Sequence, residues 1–548
     1  MSQPVLIIGL DGMPFDVLRP LIAKGLMPSL GQFLQDAAWA SLRSTVPPFS
    51  APAWATFMTG MNPGWHGVIG FQKPLQADET TRRFVDATQI PDTLWEMVSR
   101  EAGQVVVVNV PLTYPPRQVN GVLVSGMLTP SAALTYTYPA HIKDQLEDYI
   151  IDLDYLTEGQ EFQPGISKNK VDLLDDLMHI LVNCAHNAAC LMQIHPWDMA
   201  VVVFTVTDRL LHFCWDETQE LLANQTDAPL YVKLERFWKT LDTAFAQLLA
   251  AAPADTRVIV ISDHGFGPAP RFYVNLNVWL EQQGWLYRRR GLRDQFGLKQ
   301  LRVTLGRIAP LKAWLHRVLP FALQHKLRRS IAGDMEAGVI DWNLTQAYMV
   351  PLYSYTCGIM IPTSRAGKTL TVQEYETIRQ KIQTELAVLC DGEGKSIVQK
   401  VYRREDLYHG PYLAQLPDLV VVFEPSYTAM VSLAEKAVVL PATYRLRSGD
   451  HLDNGIFCAS GPGIVQGEVA GMMNMADIVP TVLYMLNIAP PRQFDGQVLM
   501  SLFTPEWIAA HPPLPIIQRD VVKPESTFVY TDTEQALIQQ RLEKLGYL

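Results

Sequence analysis

The sequence predicts an α/β fold, a largely parallel sheet with helices on both faces. Short β-branched runs without polar alternation recur at VLIIGL (5–10), VVVVNV (105–110), AVVVFTV (200–206), RVIVIS (257–262) and LVVVF (419–423), the pattern of strands buried on both sides. Longer periodic segments between the runs supply the helices. Three of the runs also stop at an acidic residue: Asp11 follows the first, Asp208 the third and Asp263 the fourth. In open α/β sheets the carboxyl ends of the strands are where ligands collect.

Length and composition bound the rest. The chain has 548 residues, too many for one small core, which predicts two to four structural units or one large α/β domain with insertions. A hydrophobic content of 48% with 18% charge is that of a globular protein, and a net charge of -10 argues against specific nucleic-acid binding. The six cysteines are scattered and form no CxxC pair, which fits free thiols in a reducing compartment and predicts no zinc-thiolate site. The start, MSQPVLIIGLDG, has no basic region and too short an apolar run for a signal peptide or membrane anchor. The expectation is therefore a cytoplasmic protein with no transmembrane segment.

One stretch departs from its surroundings. Between Arg288 and Arg329 there are twelve Lys or Arg against one acid, Asp294, a surplus of eleven in a chain whose total is -10. Leu298, Leu301, Leu305, Ile308, Leu311 and Leu315 recur at three and four, so the piece reads as basic amphipathic helices inserted into the core. The expected division is a core from 1–284, a basic helical insertion (lid or cap) at 285–345, the core resuming over 346–510, and a C-terminal appendage at 511–548. After the insertion, CGIMIP and PDLVVVFEP read as strands flanking the helix TVQEYETIRQKIQTELAVL.

Chemistry-bearing residues gather in five places. In TVPPFSAPAWATFMTG (45–60) a Pro-Pro turn precedes Ser50, and Pro52 suits the first turn of a helix. Ser50 is thus at or next to an N-cap, either a cap or a nucleophile facing a phosphate, and the segment alone leaves both open. Asp208 and His212 stand at i and i+4 in TDRLLH; if a helix begins after the strand they share a face and can grip one ion. Asp11 in GLDG, the pair Asp263 and His264 in SDHG, and His451 in SGDHLDNG complete the set. Carboxylates with imidazoles suit zinc or manganese and not calcium. His66, in WHG, reads as part of a helix C-terminal cap.

With these residues the sequence resembles the alkaline phosphatase superfamily, in particular its type I phosphodiesterase and nucleotide pyrophosphatase branch and the related phosphohydrolase/phosphomutase group. The resemblance covers most of the chain and implies a three-layer α/β/α sandwich with a mostly parallel central sheet. It further implies two divalent metal ions, Zn2+ or Mn2+. Asp208, His212 and His451 would hold one ion; Asp11, Asp263, His264 and the nucleophile Ser50 the other. The activity implied is hydrolysis of a small phosphate ester or nucleotide-like substrate through a covalent phosphoseryl-type intermediate.

Two departures bear on the substrate. Nucleotide pyrophosphatases carry an asparagine shortly after the His-Gly, whereas GVIGFQKP offers Phe71. Lys73, or Arg288, Arg289 and Arg290 of the insertion, are the candidates to replace its contact with a phosphoryl oxygen. Sulfatases follow the nucleophile with x-Pro-x-Arg; here Ser50 is followed by Ala51, Pro52, Ala53 and Trp54, and the missing arginine argues against that chemistry. The rivals are a cofactor-independent phosphomutase or phosphomonoesterase of the same superfamily and, from another class, a non-catalytic dimetal scaffold whose insertion meets an anionic membrane or a partner.

Overall fold

The computed structural model describes residues 3–73, 83–130, 133–151, 170–224, 228–289, 339–365, 367–433, 435–442, 447–492, 494–519 and 528–544. Contacts divide the chain into two units. The first comprises Met1–Ala269, Tyr408–Leu416 and Tyr444–Leu548; the second comprises Pro270–Leu407 and Pro417–Thr443.

The first unit is built on a ten-stranded sheet. From one edge its order is Gly467–Glu468, Ala38–Arg43, Asn454–Ser460, Arg257–Ile261, Val5–Leu10, Met199–Phe204, Val105–Val110, Gly121–Ser125 and Thr137–Tyr138, with Met473–Asn474 also pairing with Ala38–Arg43. The five strands from Arg257–Ile261 to Gly121–Ser125 run parallel. Asn454–Ser460 and Thr137–Tyr138 flank them antiparallel. Val5–Leu10, Met199–Phe204 and Val105–Val110 are buried along their whole length, which is why the sequence shows no alternation there. Leu6, Ile8, Val106, Val202 and Val260 join one cluster with Leu177 and Leu181 of helix Lys170–Ile194 and with Phe237, Trp238 and Leu241 of helix Pro229–Ala251. Helix Lys170–Ile194 is long and apolar enough to cross a membrane, yet 61% of its apolar window is buried inside the protein, as in a core helix.

The second unit carries its own sheet, four antiparallel strands in the order Tyr348–Pro351, Thr356–Met360, Leu419–Phe423, Val398–Arg403. Helix Val372–Ala387 opens with a capping box between Thr371 and Glu374. Both sequence-read strands and the helix between them are present, but LVVVF does not join the parallel sheet. A strand buried on both faces looks the same in sequence whichever sheet it enters.

The division into 1–284, 285–345, 346–510 and 511–548 differs from this one. The second unit begins at Pro270, and the first resumes at Tyr408–Leu416 and again from Tyr444 rather than from 346, because the strands of 348–423 bond to one another. Residues 290–338 of the basic insertion, Arg290 among them, lie outside the described residues. The tail, expected as a C-terminal appendage, groups with the first unit. Tyr530, Ile538 and Leu542 are buried in the first unit. The Tyr530 hydroxyl donates to Leu128 O at 3.1 Å, and Arg541 Nη1 donates to Thr129 O at 3.0 Å.

Candidate metal centre

Parallel register delivers the first ligands. Val5 pairs with both Met199 and Arg257, so Leu10 lies opposite Phe204 and Gly9 opposite Ile261. Three adjacent strands therefore end at one level, and Asp11, Asp208 and Asp263 emerge there together. Gly12, at φ 73°, makes the turn after Asp11 in a region that suits glycine; its N–H donates to Asp263 Oδ1 at 3.1 Å. Helix Val206–Ala223 starts directly after its strand, so Asp208 and His212 face the same way, with Oδ1 and Nε2 3.4 Å apart. His451 arrives on strand Gly449–Leu452, which pairs antiparallel with Gly265–Pro268 immediately after His264.

Ser50 is the first residue of helix Ser50–Thr59, all ten of whose residues are buried. The preceding Phe49 is extended, and Ala53 N–H already bonds Phe49 O at 3.0 Å. Pro52 brings no donor, which leaves the first-turn N–H groups of Ser50 and Ala51 at the positive end of the helix. Ser50 Oγ lies 3.4 Å from Asp11 Oδ1 and 3.2 Å from His264 Nε2.

All seven sequence-derived residues thus meet, each at most 1% exposed. Two groups have the dimensions of a metal site: Asp208, His212 and His451, and Asp11, Asp208 and His264, with ligand atoms within 4.8 Å of one another. Asp208 is common to both. Asp263 stands beside the second group, its Oδ2 3.4 Å from His264 Nε2, and that buried oxygen accepts no hydrogen bond among the described residues.

The donor set fits divalent cations on the evidence of its own orientation. Each imidazole turns Nδ1 to a backbone carbonyl: His212 to Gly449 O at 3.1 Å, His264 to Gly265 O at 3.0 Å and His451 to Pro48 O at 3.2 Å. That assigns the proton to Nδ1 and leaves the Nε2 lone pairs facing inward. The Nε2 atoms of His212 and His451 then lie 2.8 Å apart, two acceptors face to face, which a cation reconciles. Electrostatics agree. Burial, then the charges of Asp263 and Asp208, raise the Asp11 pKa well above the ordinary range. Burial and then Asp208 push Asp263 up to about 8. Burial and Arg447 lower His212 to about 4, and burial and His264 lower His451 to about 3. For Asp208, burial acts upward but His212 and His451 outweigh it, so its carboxyl stays well below the usual range.

Sequence reasoning missed three neighbours. Arg209 Nη1 donates to Asp208 Oδ2 at 2.7 Å, Arg447 Nη1 lies 3.3 Å from both ring nitrogens of His212, and Trp54 Nε1 donates to Asp11 Oδ2 at 3.1 Å. Of the expected phosphate contacts, Lys73 is paired with Asp86 at 2.7 Å. Arg288 belongs to the second unit, where it bonds Leu433 O and Glu281, and Arg289 N–H bonds Val339 O there. Phe71 packs edge-on against Phe49 at 4.8 Å. His66 is structural: fully buried between Thr56 Oγ1 at 3.2 Å and Val68 N–H at 3.1 Å, with Gly67 left-handed after it.

A mostly parallel sheet thus carries a serine-led helix and two Asp/His groups at its carboxyl edge. Residues 5–451 match the model of the type I phosphodiesterase/nucleotide pyrophosphatase family, and the chain belongs to that family. Among solved structures, phosphonoacetate hydrolase from Sinorhizobium meliloti 1021 in complex with phosphonoformate superposes with a TM-score of 0.53 at 15% identity, covering 88% of this chain and 95% of that one. Its complex with phosphonoacetate gives 0.52 at the same identity and coverage. Murine ectonucleotide pyrophosphatase/phosphodiesterase 5 gives 0.48 at 12% identity, covering 92% and 100%. At 15% identity the likeness to phosphonoacetate hydrolase is one of fold. No curated protein matches the sequence.

Proposed function

We propose that the protein is a metal-dependent phosphoric ester hydrolase in which Ser50 is the nucleophile, on a small phosphate ester or nucleotide-like substrate. The observation that carries this reading is the position of Ser50 Oγ at the start of a buried helix, within 3.4 Å of Asp11 Oδ1 and 3.2 Å of His264 Nε2. Asp208, His212 and His451 would hold one divalent ion; Asp11, Asp263, His264 and Ser50 the other, with Asp208 near enough to serve both. Zinc or manganese suits such ligands. When bound, the ions stabilise the serine alkoxide and the leaving oxygen of an in-line displacement.

The chain's own residues do the rest. Both groups facing the Ser50 hydroxyl are acceptors, so nothing beside Oγ returns a proton to it. The Oγ proton is released to solvent, Oγ attacks phosphorus while the bond to the leaving oxygen breaks, and that oxygen takes up a proton from water, giving a phosphoseryl or phosphodiester-seryl intermediate that water hydrolyses in a second displacement. The N–H groups of Ser50 and Ala51 face a phosphoryl oxygen, and Arg447 adds positive charge at the His212 side. We place the protein in the cytoplasm on its six free cysteines, four of them buried.

The test is a panel of phosphate mono- and diesters assayed on metal-replete wild type and on Ser50→Ala. Wild type turns over at least one ester class. Ser50→Ala lowers kcat by about a thousandfold or more while metal content and folding persist. A loss within about tenfold rules out the covalent serine route.

A further inference from the structure

We infer that Trp54 is a positioning residue that selects which oxygen of Asp11 faces the metal cluster; the inference rests on the dimetal reading above. Trp54 is fully buried. An indole N–H only donates, so when buried it must find an acceptor. Here the acceptor is a carboxylate oxygen of the cluster, Asp11 Oδ2 at 3.1 Å. Its other oxygen, Oδ1, is the one that faces Ser50 Oγ at 3.4 Å and His264 Nε2 at 3.5 Å. Asp208 is divided in the same way, with Oδ2 bonded by Arg209 at 2.7 Å and Oδ1 turned to His451 Nε2 at 3.0 Å.

The clamp and the nucleophile share one helix turn. Ser50 and Trp54 stand at i and i+4, on one face, so the helix that presents Oγ also fixes the carboxylate beside it. The ring has little freedom to move away. It meets Phe57 edge-on at 5.3 Å, and it lies so close over Gly9 that a Cβ there would stand 2.6 Å from Trp54 Cη2. Gly9 lies on strand Val5–Leu10, two residues before Asp11. A glycine inside a buried β-branched run, otherwise a weak choice for a strand, is explained by this close approach.

Packing alone and hydrogen-bond donation make opposite predictions for two substitutions. Trp54→Phe keeps an aromatic ring and removes the donor. Trp54→His keeps a donor two bonds beyond Cγ, where the indole nitrogen was, and sacrifices ring area. The experiment loads wild type and both variants with Zn2+ and withdraws it by competition with a chromogenic chelator, with circular dichroism as the check on folding. Wild type releases two ions. In Trp54→Phe, one ion is released at about 10- to 100-fold lower chelator concentration, the usual effect of losing a partner that orients a ligand, while the ion on Asp208, His212 and His451 is unchanged. Trp54→His recovers most of the lost affinity. Wild-type affinity in Trp54→Phe, or equal loss in both variants, overturns the inference. Should Trp54→Phe not fold, Trp54→His decides: retention of both ions supports donation, and loss of one overturns it. A wild type that binds no ion overturns the dimetal reading itself, a different result from either.

Discussion

Replacing Asp11 by asparagine should stabilise the metal-free protein and destabilise the metal-loaded one. Ligand atoms of Asp11 and Asp208 lie within 4.8 Å of each other and both residues are at most 1% exposed. Two unit charges at that separation repel by about 3.5 kcal/mol at an effective dielectric constant near 20. Protonation caps the penalty, because the strained carboxyl can take up a proton instead, so the expected gain in metal-free Asp11→Asn at pH 7 is about 1 to 3 kcal/mol. The pH dependence has a definite sign. The pKa of Asp11 is raised above its ordinary 3.8, by burial and then by Asp263 and Asp208, so its ionised form costs stability once pH exceeds that unfolded-state value. The advantage of asparagine is therefore present at neutral pH and vanishes as pH falls toward 3.8. The assay is thermal unfolding after exhaustive chelation, with Tm expected to rise by about 1 to 3 °C. Adding Zn2+ should invert the order, since each tenfold loss of affinity removes about 1.4 kcal/mol of ligand stabilisation. If the metal-free variant is instead less stable than wild type, Asp11 is a net-attractive member of an ion pair with His264, and the account of a cluster held together by cations fails.

Two further predictions follow from the same geometry. His451→Ala should lower the bound metal by one ion per chain in elemental analysis, leaving the ion on the Asp11 and His264 side; retention of both ions would remove His451 from the ligand set. Deleting residues 528–548 exposes the surfaces covered by Tyr530, Ile538 and Leu542 and leaves Leu128 O and Thr129 O without their donors. At about 1.5 to 3 kcal/mol per buried apolar side chain, the truncation should cost at least 4 kcal/mol or so, seen as a large fall in urea midpoint, whereas an unchanged midpoint would return the tail to the status of an appendage.

The sequence by itself determined the parallel core and the residues gathered at its edge. The reason is that these signals are local. A strand buried on both faces must be apolar throughout, a serine after Pro-Pro and before Ala-Pro must stand at a helix start, and Asp208 and His212 must share a face once their helix begins. The family resemblance then joined segments far apart in the chain. Only the tertiary structure decided how the pieces combine. Trp54 with Asp11 and Arg447 with His212 are pairs 43 and 235 residues apart, and nothing local marks either donor as part of the site. Asp208 lies close enough to belong to both ligand groups because three strands end in register, a property of hydrogen bonding between strands and not of any one of them. Lys73 reads as a free cation until Asp86 is folded against it. LVVVF carries no label for which sheet it enters, since burial on both faces looks alike in each. The C-terminal helix, polar along most of its length, reads as solvent-exposed until the surface that covers Ile538 and Leu542 is in place. Local chemistry names the ligands, and long-range packing fixes their orientation and their partners.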